Sequence, residues 1–229
     1  MKKKGKQNPV IKTKRVYMTV MTEEEILCKI SSTEDAELKK AYEEMLEGAK
    51  KHENFWIWYA PWKIVLKENG KEIGDICFKG EPKDHAVEIG YGMEPEYEGK
   101  GFMTEAARAM TEWAFSKEEV YFVEAEACED NRASIRILEK LGFQPDGKGL
   151  EGPRFVKRKE PTAWMPIYMC FGVAIGTSIG TSTGNLAIGM SLGICIGMAL
   201  GACLDSNEKK KLQEICKKRE DRKQVEEKL

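Results

Sequence analysis

The sequence predicts a mixed α/β (α+β) domain followed by a C-terminal α-helical hairpin. Two observations predict the domain. Several segments alternate apolar and polar residues, which is typical of strands, and segments between them repeat apolar residues every three to four positions, which is typical of helices. A third observation predicts the hairpin, because the composition changes abruptly after Lys159. The order of segments indicates antiparallel hairpins first and a β-α-β-α unit later.

The first part of the domain is predicted to contain one strand and two helices. RVYMTVMT, residues 15–22, alternates like a strand, and TEEEILCKI opens with a Thr cap and three acids, which favours a helix start. AELKKAYEEMLEGAKKH, residues 36–52, has helical spacing. The basic residues 1–14 show no periodicity, so we expect a loose solvated arm, with contact to an anionic membrane surface as the alternative.

The later segments are separated by turn signals. WKIVLKENGKEIGDICFKG reads as two strands joined at Asn69-Gly70, a strong hairpin signal, and HAVEIGYGM is a further strand. A helix is predicted from Phe102 to about Lys117, then a strand in VYFVEAEAC, and then a short helix in NRASIRILEKLGF that ends at Gly142.

Composition excludes several classes of function. The chain has a formal net charge of −1, so no global basic field indicates a nucleic-acid partner. Seven cysteines without a C-x-x-C pair, and only two histidines, argue against a metal site. We expect a protein that is not secreted, with reduced thiols, and we interpret the cysteines as small core residues. This includes Cys128, as buried packing rather than an acyl carrier.

The segment from Met165 to Leu204 contains no charged residue, and glycine recurs at nearly every fourth position. We predict two antiparallel transmembrane helices, 165–183 and 186–204, that approach closely along their glycines. Basic flanks on both sides predict a catalytic domain on the cytoplasmic side of the membrane. A soluble cytoplasmic protein that self-associates through this glycine zipper is the alternative.

These changes divide the chain into four parts. They are a basic flexible arm over 1–14, the main domain over 15–160, the hairpin over 161–204 and a charged helical tail over 205–229.

The stretch PEYEGKGFMTEAARAM places Gly99, Lys100 and Gly101 directly before a helix. A helix start has unpaired backbone N–H groups and partial positive charge, so a glycine-rich turn that leads into it can wrap a phosphate or pyrophosphate. Glycines before a helix also serve simple tight turns. The motif therefore needs its context.

In order and spacing, VEIGYGM, PEYEGKGFMTEAARAM, FVEAEAC and EDNRASIRILEKLGF resemble the core of the GNAT superfamily of N-acetyltransferases, particularly the ribosomal-protein N-acetyltransferase branch. The resemblance covers about residues 15–157. It implies the GNAT acyl-CoA N-acyltransferase fold, with a central, mostly antiparallel sheet flanked by helices. It also implies acetyl-CoA as co-substrate and direct transfer of the acetyl group to a primary amine, with no covalent enzyme intermediate.

The resemblance also implies a binding site for the pyrophosphate and pantetheine of acetyl-CoA. Glu98 stands where the family has Gln or Arg, and an acid beside an anionic cofactor should weaken binding unless it points away. Met103 is a second departure, because the family has a small residue there. Asn131 would contact the pantetheine arm or nearby backbone, although a helix N-cap also explains it. The implied cofactor-binding residues are Met93, Gly99, Lys100, Gly101, Phe102, Met103, Thr104, Asn131 and Ser134.

Two catalytic residues follow from the same resemblance. Glu88 is the candidate base that takes the amine proton, directly or through water, with a solvated edge carboxylate as the alternative. Relatives offer a Tyr as acid to the leaving thiolate, but the matching position here is Leu138, so Ser134 is the substitute candidate. No metal is implied.

The acceptor amine is left open by the sequence. The aromatic cluster FWIWYAPW, residues 55–62, precedes a strand where acceptors approach in the family, and we expect core packing for at least half of these aromatics. The acceptor is a protein N-terminus, an amino acid or another small amine. The alternative function is a non-catalytic GNAT-like module that binds CoA or nothing and presents the hairpin to a membrane or a partner.

Overall fold

A computed structural model of the protein describes residues 9–226, with side chains up to Lys223. The chain forms two compact units, one that ends at Lys159 and one that begins at Glu160. Most of the predicted arm and the last residues of the predicted tail lie outside the described residues.

An eight-stranded sheet forms the centre of the first unit, in the order β1-β2-β3-β4-β5-β6-β8-β7. Of the seven pairs of neighbouring strands in the described residues, only β5 and β6 run parallel. The mostly antiparallel sheet confirms the predicted fold class. The strands are β1 (Val10–Lys12), β2 (Val16–Val20), β3 (Trp62–Leu66), β4 (Glu72–Phe78), β5 (Ala86–Met93), β6 (Phe122–Glu126), β7 (Gln144–Lys148) and β8 (Pro153–Arg158).

Helices flank this sheet at the positions that the capping residues predict. Thr22 and Glu25 form a reciprocal capping box at the start of α1, which ties the first helix to its predicted N-terminus. Gly142 has a φ of 82° just after the last helix of this unit, as predicted for a helix C-terminus. The helices are α1 (Glu23–Ser32), α2 (Ala36–Lys51), α3 (Trp56–Tyr59), α4 (Phe102–Phe115) and α5 (Arg132–Lys140).

Strand β1 corrects the prediction of a loose arm over residues 1–14. Residues 10–12 pair with β2 in antiparallel register, with Val10 opposite Thr19 and Lys12 opposite Tyr17. Ile11 packs against the hydrophobic core. The free edge of β2 supplies the hydrogen-bonding partners, so this part of the arm is ordered by a neighbouring strand rather than by its own periodicity.

The structure also corrects the interpretation of the cysteines as core residues. Cys77 on β4 is buried, and its burial raises the pKa of the thiol to about 12. Cys216 is half-buried, and the other five are exposed, namely Cys28, Cys128, Cys170, Cys195 and Cys203. Cys128 lies in the loop after β6 rather than inside the strand, which is why it is not buried.

Strands β5 and β6 separate after a short contact, and this position organises the site. They pair only over Ala86–Glu88 and Phe122–Glu124, whereas β5 continues to Met93 along β4. The last five residues of β5 therefore have no pairing with β6. The gap leaves side chains of β5 free to contact α4 and α5.

The second unit is a helical hairpin of α6 (Trp164–Thr183) and α7 (Leu186–Glu226). Gly184, with a φ of 76°, makes the turn. A Cβ on Gly193 would lie 2.1 Å from the Gly172 carbonyl oxygen, and a Cβ on Gly176 would lie 2.4 Å from that of Gly189. The two glycine ridges are thus packed backbone against backbone, which confirms the predicted glycine zipper.

Helix α7 continues without a break through the predicted charged tail as far as Glu226. Among the described helices, one stretch, Leu186–Lys223, is long and apolar enough to cross a membrane, with a mean hydropathy of 2.0 in its most apolar 18 residues. Helix α6 does not meet the same criterion, because Thr177, Ser178, Thr181 and Ser182 dilute it. The structure therefore gives only weak support to the predicted pair of transmembrane helices, because only one of the two described helices qualifies.

Candidate functional site

A cleft of about 510 Å³ opens between the end of β5, the start of α4 and the outer face of α5. Its volume falls within the range of small-molecule sites. The lining residues come from the three elements that the separation of β5 and β6 brings together. They are Tyr91, Gly92, Met93, Tyr97, Glu98, Gly99, Gly101, Phe102, Met103, Thr104, Asn131, Ala133, Ser134, Arg136, Ile137 and Lys140.

The glycine turn at the start of α4 has the geometry of an anion cradle. Gly99 and Gly101 have φ values of 71° and 78°, which L side chains rarely adopt. Gly101 is the N-cap of α4 and offers no side chain to the first-turn amides. A Cβ on Gly99 would meet no atom within 4 Å, so the turn is open toward the surroundings. These residues fit a pyrophosphate held by backbone amides.

Arg15 braces this turn from the β1–β2 connection. Its Nη1 donates to the Lys100 carbonyl oxygen at 3.0 Å, and its guanidinium carbon lies 4.3 Å from the centroid of the Phe102 ring. Its Nε donates to Glu105 Oε2 at 2.7 Å. Sequence reasoning missed Arg15, because no local pattern links it to a helix that starts 87 residues later.

Two of the predicted cofactor-binding side chains are turned elsewhere. The Lys100 ammonium lies 5.2 Å from the centroid of the Tyr97 ring, and Lys100 is not one of the residues that line the cleft. Met103 lines the cleft but is only 6% exposed, so most of its side chain belongs to the core. Glu98 lines the cleft together with Gly99 and Gly101 of the glycine turn.

Asn131 and Ser134 form the start of α5. Asn131 Oδ1 accepts from the Ser134 backbone N–H at 2.9 Å, so the helix N-cap interpretation of Asn131 is the one that the structure shows. Both residues also line the cleft. Leu138 is fully buried and supplies no polar group.

Tyr91 is the partner of Ser134 and was not predicted. Its hydroxyl lies 2.9 Å from Ser134 Oγ and 3.5 Å from the Ser134 carbonyl oxygen. Burial raises the pKa of Tyr91, and the hydrogen bond with Ser134 offsets this only in part. The signal in the sequence was the alternation of β5, which places Val87, Ile89 and Tyr91 on one face.

Arg136 and Lys140 add positive charge to the cleft from α5. They are four residues apart, so they lie on one face of the helix, and both are exposed. In the part of the chain that the structure describes, neither has a carboxylate partner. Sequence reasoning missed both, because two cations on a short helix are normally solvated.

Glu88 lies outside this cleft. By strand alternation it is on the face of β5 opposite Tyr91, and its Oε1 forms an ion pair with Lys79 Nζ at 2.6 Å. Lys79 also pairs with Glu151 at 3.1 Å. Partial burial opposes the charge of Lys79, but the Glu88 carboxylate outweighs it and raises the pKa of Lys79. The solvated edge carboxylate is not what is observed, since the side chain of Glu88 is 22% exposed.

The aromatic cluster before β3 serves mainly the core. Trp62 is fully buried and Trp58 is 3% exposed, and both rings lie 5.2 Å from that of Trp113 on α4. Trp56 donates its indole N–H to the Met21 carbonyl oxygen. Phe55 is 43% exposed. Packing thus accounts for at least half of the cluster, as expected.

Curated relatives of the chain are N-acetyltransferases by name. The uncharacterized N-acetyltransferase YjdG of Bacillus subtilis is 37% identical over 91 residues, which is 39% of this chain and 54% of that protein. The putative ribosomal N-acetyltransferase YdaF of the same species is 38% identical over 66 residues, which is 29% of this chain and 36% of that protein. The chain therefore spans about half the length, or less, of these relatives.

Solved structures share the fold. An acetyltransferase (GNAT family) from Bacillus anthracis superposes with a TM-score of 0.51 at 22% identity, covering 66% of this chain and 98% of that one. RimL, a ribosomal L7/L12 alpha-N-protein acetyltransferase, superposes with a TM-score of 0.54 at 15% identity, covering 66% of this chain and 95% of that one. At these identities the likeness shows the fold alone.

Two family profiles match separate parts of the chain. Residues 165–207 match the glycine zipper membrane protein profile. Residues 13–144 match the acetyltransferase (GNAT) domain profile, and they hold the cleft, the glycine turn and the Asn131–Ser134 helix start. Because this second match covers more than half of the chain, the protein belongs to the GNAT acetyltransferase family.

Proposed function

We propose that the chain is an acetyl-CoA-dependent N-acetyltransferase that transfers an acetyl group to a primary amine by direct attack. One observation carries the proposal. A single cleft joins an uncapped helix start behind two left-handed glycines to a hydrogen-bonded pair of hydroxyl groups. The first feature suits a pyrophosphate, and the second suits a group that leaves with negative charge.

The chain's own residues divide the work of binding. The backbone amides of Phe102, Met103 and Thr104 lie in the first turn of α4 and would hold the pyrophosphate. Arg136 and Lys140 would offset the remaining phosphate charge, and they compensate for Glu98 on the loop. When bound, acetyl-CoA supplies the acyl thioester that the amine attacks. Asn131 holds the start of α5 in place, because its side chain caps the helix that presents Ser134.

Glu88 is proposed as the base that accepts the amine proton. Its place on the opposite face of β5 from Tyr91 supports an acceptor that approaches from that side of the sheet. Its Oε1 is held by Lys79, which fixes the carboxylate in position and leaves the second oxygen for a proton or a bridging water. This role rests on the family resemblance together with this placement.

The acceptor is proposed to be a protein N-terminus or a small-molecule amine. The putative ribosomal role in the name of YdaF and the ribosomal-protein acceptor in the name of RimL favour a protein N-terminus. Calorimetric titration with acetyl-CoA, followed by a thiol-release assay with a panel of N-terminal peptides and small amines, tests both parts. Binding with turnover on one amine class supports the enzyme.

The second candidate is a non-catalytic module of the same fold, and Glu98, the buried Met103 and Leu138 favour it. The same experiment separates the two. Binding of acetyl-CoA with no thiol release on any amine favours the module. Absence of acetyl-CoA binding contradicts the enzyme and leaves a module that does not bind CoA.

The hairpin is proposed to anchor the protein in a membrane, with the acetyltransferase domain on the cytoplasmic side. The glycine zipper membrane protein match and the apolar stretch of α7 support this. Large apolar side chains also point outward along both helices, including Phe171 at 62% and Ile188 at 65% exposure. A soluble, self-associating hairpin is the alternative.

Cell fractionation with an alkaline carbonate wash tests the anchor. Full-length protein retained in the pellet, and released when residues 165–204 are deleted, supports it. Full-length protein in the soluble fraction contradicts it and favours self-association.

A further inference from the structure

The face of β5 that carries Glu88 also carries two glycines. Side chains alternate along a strand, so Glu88, Gly90 and Gly92 lie on one face, opposite Tyr91. The neighbouring strand β4 contributes Cys77 to the same face, because a Cβ on Gly90 would lie 3.4 Å from Cys77 Sγ. We call Gly90 and Gly92 the glycine strip.

The glycine strip leaves the backbone of an inner strand open on this face. Gly92 is exposed, and a Cβ there would meet no atom within 4 Å. A glycine inside a strand supplies no side-chain packing, and it often marks a place where a ligand or another backbone approaches closely. The strip therefore offers an open floor that begins beside Glu88, the proposed base.

Asp75 of β4 lies at the far end of this floor. It is opposite Gly92 in the antiparallel register and two residues from Cys77, so it lies on the same face. Its Oδ2 accepts a hydrogen bond from the Tyr42 hydroxyl of α2 at 2.5 Å. Burial and the Asp75 carboxylate raise the pKa of Tyr42, so the phenol stays protonated and remains the donor. Helix α2 thus fixes one oxygen of Asp75 beside the strip.

The charge of Asp75 is not matched by an ion pair in the described part of the chain. Lys29 of α1 pairs with Glu72 at 2.5 Å, and Lys63, which is opposite Asp75 on β3, pairs with a carboxylate of α1. Burial raises the pKa of Asp75, and the Tyr42 hydroxyl and Lys29 offset this only in part. A positive group brought to the strip would stabilise the ionised carboxyl further.

We infer that Asp75 is a specificity-determining residue that binds a second positive charge of the acceptor, and that this acceptor is a peptide N-terminus followed by Lys or Arg. This inference rests on the proposed function. The reacting amine would lie beside Glu88, and the acceptor chain would follow the glycine strip as far as Asp75. There the basic side chain would donate to Oδ1, the oxygen that the Tyr42 hydrogen bond leaves open.

The spacing along β5 limits where the basic residue can stand. Glu88 and Gly92 are four residues apart, which corresponds to about 13 Å along a strand. An extended peptide advances by about 3.3 to 3.6 Å per residue, and a long basic side chain adds to this reach. A lysine at the third residue of the acceptor would therefore place its charge near Asp75. A lysine at the eighth residue would lie well past it.

The test uses the full chain, acetyl-CoA and a set of peptide amides that are otherwise uncharged beyond their N-terminal amine. Three of them carry Lys, Gln or Glu as the third residue, and a fourth carries Lys as the eighth. We expect kcat/KM to be about tenfold higher for Lys than for Gln at the third residue, because a hydrogen bond between charged groups is made. The Glu peptide should be the poorest, and Lys as the eighth residue should give no advantage over Gln.

Two variants test the residues, and the readout is the ratio of kcat/KM for the Lys and Gln peptides. Asp75→Asn keeps an acceptor for the Tyr42 hydroxyl and removes the charge, so the ratio should fall from about tenfold to about one. Tyr42→Phe releases the carboxylate from α2, so the ratio should fall in part. Glu43→Gln removes an exposed carboxylate of the same helix and is the matched control, which should keep the ratio of the wild type.

The outcomes separate the subsite from the proposed function. A chain that does not bind acetyl-CoA, or that acetylates no amine, overturns both. Acetylation with equal kcat/KM for the Lys and Gln peptides, or of small amines alone, overturns the subsite only.

Two further results would also overturn the subsite. An equal loss for every peptide in Asp75→Asn would show that Asp75 only ties α2 to β4. An equal advantage of lysine at the third and eighth residues would show a diffuse attraction rather than a site. If Asp75→Asn does not fold, Tyr42→Phe and the position of the preferred lysine in the wild type decide.

Discussion

Arg15 and Glu105 form an ion pair across 90 residues of sequence, with Arg15 Nε 2.7 Å from Glu105 Oε2. The same carboxylate accepts from the Thr13 hydroxyl at 2.6 Å and from the Arg15 backbone N–H at 2.7 Å. The connection between β1 and β2 is thereby tied to the first turn of α4. Through its bond to the Lys100 carbonyl, Arg15 extends this tie to the glycine turn.

The first prediction is that Arg15→Ala weakens acetyl-CoA binding about tenfold, or about 1.4 kcal/mol. The turn would lose the donor that holds the Lys100 carbonyl, and it would have to be ordered when the phosphates bind. Arg15→Lys should recover only part of the loss, since an ammonium cannot make the forked contact. Calorimetric titration measures the effect, with Arg108→Ala on the exposed side of α4 as control. Equal acetyl-CoA affinities for Arg15→Ala and the control would show that Arg15 does not brace the glycine turn for binding.

The second prediction concerns pH. Partial burial opposes ionisation of Glu105, but the Thr13 hydroxyl, the Arg15 amide and the Arg15 guanidinium outweigh it and lower its pKa from 4.5 to about 2. A carboxylate whose pKa is lowered by folding stabilises the fold above its unfolded pKa, and this contribution is lost as pH falls through the folded pKa. Glu105→Gln should therefore be less stable than the wild type at pH 7.

This difference should shrink as pH falls from about 4.5 to about 2. Urea unfolding midpoints of both proteins across this range provide the measurement. A gap between the two midpoints that does not change with pH would show that Glu105 acts through shape rather than charge.

The third prediction is that Gly101→Glu weakens acetyl-CoA binding at least tenfold, or about 1.4 kcal/mol. The substitution adds a carboxylate where first-turn amides face the cleft, and it strains a backbone with φ of 78°. Gly70→Glu is a matched control, because Gly70 has a φ of 71° in a turn between β3 and β4 and has open space around it. Unchanged affinity in a folded Gly101→Glu protein would refute the phosphate assignment.

The fourth prediction is that Glu88→Gln lowers turnover by about a hundredfold while acetyl-CoA affinity stays nearly the same. The amide cannot accept the amine proton, and the pH–rate profile should lose its acidic limb. Glu151→Gln removes the other carboxylate that pairs with Lys79 and serves as the control. Wild-type turnover with an unaltered profile in Glu88→Gln would exclude Glu88 from the mechanism.

The features that sequence predicted are those with a local cause. The Thr22 cap, the Asn69-Gly70 turn and the Gly101 helix start each depend on residues within a few positions of one another, so pattern reasoning found them. Strand β1 needed the edge of β2, and β7 contains Pro145 and Gly147, which read as a loop. The local sequence therefore indicates neither of these two strands.

The unpredicted parts of the site depend on long-range contacts. Arg15 reaches the α4 turn across 90 residues, and Tyr91 reaches Ser134 across 43. No periodicity or spacing rule links such pairs, because only the sheet topology brings them together. The family resemblance supplied Ser134, but it could not supply Tyr91, whose contact with Ser134 depends on the separation of β5 and β6.

The last prediction concerns the glycine zipper. A Cβ on Gly193 would lie 2.1 Å from the Gly172 carbonyl oxygen, so Gly193→Leu must push α6 and α7 apart. Such overpacking costs about 1–3 kcal/mol, and the exposed apolar outer faces offer no compensating contact. Ala174→Leu, at an exposed position of α6, places a side chain of the same size away from the contact between the two helices and is the control.

Hydrogen exchange of the full chain, in water or in detergent micelles, reports each helix separately. We expect faster exchange in α6 and the facing part of α7 in Gly193→Leu, with β-sheet amides of the first unit unchanged, and no difference between the control and the wild type. Slow exchange retained throughout both helices in Gly193→Leu would show that the close approach of the two backbones does not hold the hairpin together.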